Sequence, residues 1–139
     1  MGRVLTEATI ENLQDLWDAR RGLIPPEKVR RLVVPDALVD TGATLLSLPR
    51  RLIEQLGLTG MYARRVTSST GATGADVYGP VRLTIQGRYC HADVMEVPNE
   101  VPVLIGQLPL ENLDFVIDPR SRTLIGNPAH GGEHMLEAY

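Results

Sequence analysis

Hydrophobic and polar positions along the chain change period several times, and each change marks an element. Over residues 4–12 they alternate, with Val4, Thr6, Ala8 and Ile10 on one side and Leu5, Glu7, Thr9 and Glu11 on the other. That alternation predicts a half-buried strand. Leu13, Leu16 and Trp17 then fall at helical spacing, which fits a short helix or a compact loop over 13–21, closed by Gly22 and Pro25-Pro26. Residues 29–34 read as a strand, Pro35-Asp36 as a turn or bulge, and 37–40 as a short strand ending at Thr41-Gly42. Residues 45–48 form a further apolar strand. Pro49 can open a helix, because its missing N–H would be unpaired there anyway. Residues 50–56 continue it, with Leu52, Ile53 and Leu56 on one side and Gly57 as its C-cap.

The second half is richer in strands. Residues 64–69 and 75–78 flank Thr70-Gly71-Ala72-Thr73-Gly74, small residues that suggest a mobile β-hairpin. Residues 81–85 alternate, and Gly87 turns the chain into 89–97. Residues 101–105 form a continuous apolar strand ending at Gly106, followed by a short helix over 108–113 with Pro109 near its start. A last hairpin joins 115–118 to 123–125 through Pro119-Arg120-Ser121. From Asn127 onward the chain is polar and Gly-rich, and part of it is expected to be loose. No internal repeat or linker is evident.

A chain of 139 residues is most simply one domain with a real core. Aromatic residues are only 4%, so that core must be aliphatic; thirteen Gly and ten Pro favour a β-rich architecture over a helix bundle. The net charge of −3 includes basic residues in scattered pairs, Arg20-Arg21, Arg30-Arg31, Arg50-Arg51 and Arg64-Arg65. Such pairs read as solvated faces, and nothing in the balance calls for nucleic acid. Cys90 is the sole cysteine, so a disulfide framework is ruled out and a reducing, cytoplasmic setting is expected. A lone thiol on a strand is ordinarily a small hydrophobe. The first ten residues carry Arg3 and Glu7 without the apolar stretch of a signal peptide, and no segment is apolar enough to span a membrane. Met1-Gly2-Arg3-Val4-Leu5-Thr6 fits a loose myristoylation pattern, a short match common by chance.

Candidate chemistry centres on Asp40. It lies within Ala37-Leu38-Val39-Asp40-Thr41-Gly42-Ala43-Thr44-Leu45-Leu46, an apolar run with one carboxylate in its middle. A buried charge is costly unless paired, hydrogen-bonded or sharing a proton, and chains keep one mainly where it does chemistry. One Asp is a poor peptidase. Two carboxylates about 3 Å apart cannot both ionise and so share a proton. Such a pair can deprotonate water with one oxygen and protonate a scissile carbonyl with another, with no metal or cofactor.

Val39-Asp40-Thr41-Gly42-Ala43 resembles the active-site signature of the retropepsin-like aspartic proteases. Val103-Leu104-Ile105-Gly106 resembles the apolar-apolar-Gly strand that crosses beneath their active-site loop and precedes a short helix. Residues 78–97 resemble the strands after the flap, and 67–74 fall where the flap should be. The resemblance runs from about residue 4 to about residue 125. It implies an all-β, closed-barrel acid-protease half-domain with one or two short helices over residues 1–126, and a tail of open role over 127–139. It implies that Asp40 is the catalytic general acid/base and that Thr41, Gly42 and Ala43 form the active-site loop. Ser69, Thr70, Gly71, Ala72 and Thr73 would form the substrate-binding flap, and Leu104, Ile105 and Gly106 would support the loop.

No other Asp is followed by Thr-Gly or Ser-Gly, so the dyad needs two chains. The expected assembly is a homodimer with an Asp40 from each chain at the axis and Thr41 reaching across it. Its partner would be an extended peptide or protein substrate, held along its main chain like an added strand. The expected activity is aspartic endopeptidase; the alternative is a catalytically silent module of the same fold that binds peptides or proteins. Two features depart from the viral members. An Asp–Arg ion pair is absent because Thr44-Leu45 and Gln107 occupy its places, and the hairpin tip is more polar.

His130-Gly131-Gly132-Glu133-His134 fits a His-x-x-Glu-His zinc pattern. That pattern needs a helix to present both His on one face, and two adjacent glycines oppose one. A third ligand should follow well downstream, where only five residues remain, so no metal is expected. His91 reads as packing or surface on a strand. No Gly-x-Ser-x-Gly nucleophile elbow is present.

Overall fold

The structure is a computed structural model that describes residues 3–68 and 71–137; Ser69 and Thr70, at the expected flap tip, lie outside the described residues. At the N-terminal end the alternation becomes β1 (Leu5–Asn12), which turns Ala8, Ile10 and Asn12 inward. Asn12 ends the strand and starts a helix. Its side-chain oxygen accepts the Asp15 N–H at 3.0 Å, capping α1 (Leu13–Arg20), and its Nδ2 donates to the Leu56 carbonyl at 2.9 Å. Of the helix and the loop open at 13–21, the helix forms. Asp15, in its first turn, takes a two-pronged grip from Arg30, Nε at 2.8 Å and Nη2 at 3.0 Å. That hydrogen bonding holds the Asp15 carboxyl below its ordinary range and fastens the return from the helix.

β2 (Arg31–Val39) runs straight through Pro35 as one strand. Its pairing with β1 slips between Thr6–Ala37 and Ala8–Val34, so Pro35-Asp36 is a bulge. A proline, with no N–H to give, suits the place where a ladder carries an unpaired residue. β3 (Leu46–Pro49) is buried throughout and passes into α2 (Arg50–Leu56), which buries Ile53 and Leu56 and ends at Gly57 in the left-handed region, φ 62°. β4 (Gly60–Ser68) and β5 (Gly71–Ile85) make a long hairpin, and β6 (Arg88–Val97) follows a tight turn. β7 (Leu104–Ile105), α3 (Gln107–Leu113), β8 (Phe115–Asp118) and β9 (Thr123–Gly126) complete the chain's main elements.

Seven strands form one sheet in the order β1-β2-β7-β3-β6-β5-β4, and β1 also pairs with β5 between Thr9–Thr84 and Asn12–Val81. The β2–β7 and β3–β6 pairs are parallel; the others in this sheet are antiparallel. β8 and β9 form a separate antiparallel pair. Ile10, Leu46, Leu48, Leu83, Ile85, Val94, Ile105 and Leu113 are sealed from solvent in the core. Each such side chain contributes about 1.5–3 kcal/mol, so a mainly aliphatic core suffices, with Phe115 as its buried aromatic and Tyr78 packed against it.

Two expectations need correction. Residues 101–105 are not one strand: Val101 N–H turns back to the Pro98 carbonyl at 3.0 Å, Pro102 has no N–H to give a ladder, and only Leu104–Ile105 pairs as a strand. The polar run after Asn127, expected to be partly loose, is tied to the body through Asp114 as far as Met135. Within it Pro128–His130 is a single 3-10 turn and Gly131 and Gly132 have φ of 66° and 77°, so His130 and His134 share no helical face. Among the described residues no helix is long and apolar enough to cross a membrane.

Candidate active site

β2 delivers Asp40 at its C-terminal end, where the chain must turn. Asp40 N–H donates to the Ile105 carbonyl at 3.0 Å, and Ala43 N–H closes the corner onto the Asp40 carbonyl at 3.1 Å. Gly42 N–H donates to Asp40 Oδ1 at 3.0 Å, which fixes the plane of the carboxylate. The carboxylate is half-buried rather than enclosed, and Thr41 and Gly42 are exposed. The flanking apolar residues explain the difference: Ala37, Val39 and Leu46 turn into the core, and the corner between them faces out. Among the described residues the Thr41 hydroxyl has no hydrogen-bond partner.

The floor of this corner comes from far along the chain. β7 lies between β2 and β3, pairing Leu38 with Leu104, Val39 with Ile105, and Ser47 with Leu104. Gly106 then passes directly under the loop. A Cβ there would stand 2.3 Å from the Leu45 carbonyl oxygen and 2.8 Å from that of Ala43. Only hydrogen fits against fixed backbone at that range. The first turn of α3 has N–H groups that no intrahelical partner can take. Gln107 gives its N–H to the Ala43 carbonyl at 2.8 Å and Leu108 gives its own to Thr44 at 3.0 Å. The Gln107 side chain turns to Glu111, at 3.0 Å. Main-chain hydrogen bonds therefore hold the loop where an ion pair is absent. Sequence reasoning missed these donors, although a glycine just before a helix start was their signal.

Thus Asp40, Thr41, Gly42 and Ala43 are joined with Leu104, Ile105 and Gly106 in one hydrogen-bonded unit. Gly71, Ala72 and Thr73 lie elsewhere, on the β4–β5 arm, opposite Ser68, Thr67 and Val66. The arm's solvent exposure is extensive from Met61 to Arg65 and from Gly71 to Gly74. Its base is anchored by Tyr62, whose hydroxyl donates to Asp93 at 2.9 Å and whose ring lies under the Arg64 guanidinium at 4.5 Å. Neither contact was foreseen.

A cleft of about 230 Å³ opens next to the loop, lined among others by Leu45, Pro80, His91, Asp93, Leu108 and Asn112. Asp40 is not part of its lining. Cys90 is partly enclosed, and burial pushes its thiol up to about 11, which leaves too little thiolate for nucleophilic work at neutral pH.

The family model described as aspartyl protease matches residues 30–129, from just before β2 to just after β9. The match takes in both the Asp40 corner and its Gly106 floor, and leaves β1 and α1 outside. No curated protein matches the chain by sequence. With most of its length matched, including the whole of the loop and the strand beneath it, this chain belongs to the aspartyl protease family.

Proposed function

We propose that the chain is an aspartic endopeptidase whose catalytic dyad forms when Asp40 of two copies meet across a two-fold axis. The observation that carries this reading is the Asp40 corner itself: one carboxylate, its plane set by the Gly42 N–H, on a floor that permits little displacement. Two such carboxylates about 3 Å apart share one proton. The ionised one takes a proton from water as the water oxygen attacks the peptide carbonyl carbon. The protonated one gives its proton to the carbonyl oxygen. Collapse of the resulting diol returns a proton to the leaving amine and breaks the C–N bond.

Other features support the same reading. The pairings β1-β2-β7-β3-β6-β5-β1 return on themselves, as a closed β-barrel requires. The exposed Thr41 hydroxyl is available to a second chain. The β4–β5 arm, with Gly71, Ala72 and Thr73 near its end, would act as the flap over an extended peptide. Residues 1–126 would constitute the protease domain, with 127–139 appended to it.

The test is cleavage of a peptide library by the chain and by Asp40→Asn, with sedimentation over a concentration range. Cleavage that depends on Asp40 and rises with dimer fraction is the expected result. Cleavage retained in Asp40→Asn would overturn the proposal. Peptide binding without cleavage, and without Asp40-dependent affinity for a pepstatin-like transition-state analogue, would identify a silent binding module instead.

A further inference from the structure

α3 is held at both ends by groups outside it. Its N-terminal end gives the Gln107 and Leu108 N–H groups to the loop carbonyls of Ala43 and Thr44. At the other end, Arg88 Nη1 donates to the Leu113 and Asp114 carbonyls, both at 2.9 Å, and His134 Nε2 donates to the Asn112 carbonyl at 2.8 Å. Asp114 follows the helix in the left-handed region, φ 58°, with its side chain buried. Its carboxylate gathers the segment after β9. Asn127 Nδ2 donates to Oδ1 at 3.2 Å, while His130 Nδ1 at 2.6 Å and Met135 N–H at 3.1 Å donate to Oδ2.

His130 is the centre of this arrangement. Its other nitrogen, Nε2, faces Glu137 Oε1 at 3.1 Å. A neutral imidazole has one N–H, so two ring nitrogens each set against a carboxylate call for the imidazolium. The His130 side chain is 14% exposed and that of Asp114 is 7%, so the closer contact is shielded from water. Asp114 first, and then Glu137, hold His130 above its ordinary value; His130 in turn holds Asp114 below its own. The remaining charged or titratable neighbours are Arg88, which also donates to the Gly132 carbonyl, and His134 and Glu133 on the same segment.

We propose that Asp114 and His130 form a proton-dependent clasp that holds α3, and through it the Ala43 and Thr44 carbonyls, in place. His130 is then a positioning residue for the reaction proposed above, on which the activity arm of this inference rests. The sign follows from the directions. His130 has a raised folded value, so its contribution is complete below about pH 6.5 and is lost as pH rises through that raised value. Asp114 has a lowered folded value, so its contribution is present above about pH 3.9 and is lost as pH falls through the lowered one. The clasp is closed between the lowered Asp114 value and the raised His130 value, and it opens as pH rises through the latter.

The full chain, wild type and His130→Asn, is titrated by NMR while the amides of Ala43, Thr44, Gln107 and Leu108 are followed. Asparagine can still donate to Asp114 but does not titrate. The expected result is that the wild-type loop amides shift with the same midpoint as the His130 ring, and that His130→Asn abolishes this step. The alkaline fall in peptide cleavage should lose a matching step in the variant. Loop amides indifferent to the His130 midpoint, or a step that persists in His130→Asn, would overturn the clasp; if the variant does not fold, the wild-type titration decides alone. The NMR readout needs no catalysis. An inactive chain whose loop follows His130 would count against the endopeptidase and leave the clasp standing, whereas an active chain whose loop ignores His130 would do the reverse.

Discussion

Residues 40–45 rest on a strand on either side, a helix end and a glycine that admits no side chain, whereas the outer residues of the β4–β5 arm rest chiefly on each other. In the first region the Asp40 N–H and the Ala43 and Thr44 carbonyls are bonded to β7 and α3, so a shift in the loop must move its neighbours. In the second, the ladder between β4 and β5 supplies the order, and solvent covers both faces over much of its length. The proposed dyad would need positional accuracy at the corner, and the proposed flap would need ease of movement at the arm. Local stability is distributed accordingly, high at the corner and low at the arm.

Four substitutions would break or sharpen that contrast. Asp40→Asn should lower peptide cleavage on the order of 10³-fold or more while leaving the melting temperature within about 2 °C, because it removes chemistry without touching the floor. Progress curves and a thermal melt check both halves. Gly106→Ala should cost about 3 kcal/mol, since its Cβ meets fixed backbone. A urea melt reads this directly, and an unchanged midpoint would show the floor to be softer than its distances imply.

Asp15→Asn tests a grip of intermediate strength. Arg30 is half-exposed, so solvent screening limits the loss to about 1 kcal/mol at pH 7. The Asp15 carboxyl is lowered, so its contribution is present above about pH 3.9 and lost as pH falls through the lowered value. Urea midpoints at neutral and acid pH should therefore converge for the variant and the wild type. Gly74→Ala, on the arm, should change stability by no more than about 0.5 kcal/mol, because open space surrounds the position. A calorimetric loss beyond about 1 kcal/mol would mean that more than strand pairing holds the arm.

Much of the fold could be read in the sequence because its signals are local. Alternation exposed β1, the Pro49 and Gly57 punctuation marked α2, and Gly87 set the β5–β6 turn. Pro35-Asp36 was legible as a turn or bulge; that it is the bulge, with β2 continuing through it, depends on the partner's register. The corner itself was legible through Asp40-Thr41-Gly42 and Leu104-Ile105-Gly106 together. What escaped is main-chain or long-range. The Gln107 and Leu108 donors were marked only by the glycine before their helix. Although the β8–β9 reversal was legible, the meeting of Asp114 with His130 depends on the path of the segment after it, which no local pattern encodes.

The parallel pairing of β2 with β7 has a consequence for the newly made chain. A parallel neighbour cannot come from a hairpin, and here it arrives only after β3, β4, β5 and β6 have been passed. Synthesis runs from the N-terminus, and contacts between distant segments form slowly. Until Gly106, Gln107 and Leu108 have emerged, the carbonyls of Ala43 and Thr44 lack their donors and Asp40 has no floor. The hairpins can form early; the corner waits for the last third of the chain. A ribosome-bound fragment ending before β7 would carry the Asp-Thr-Gly corner in sequence but not in shape.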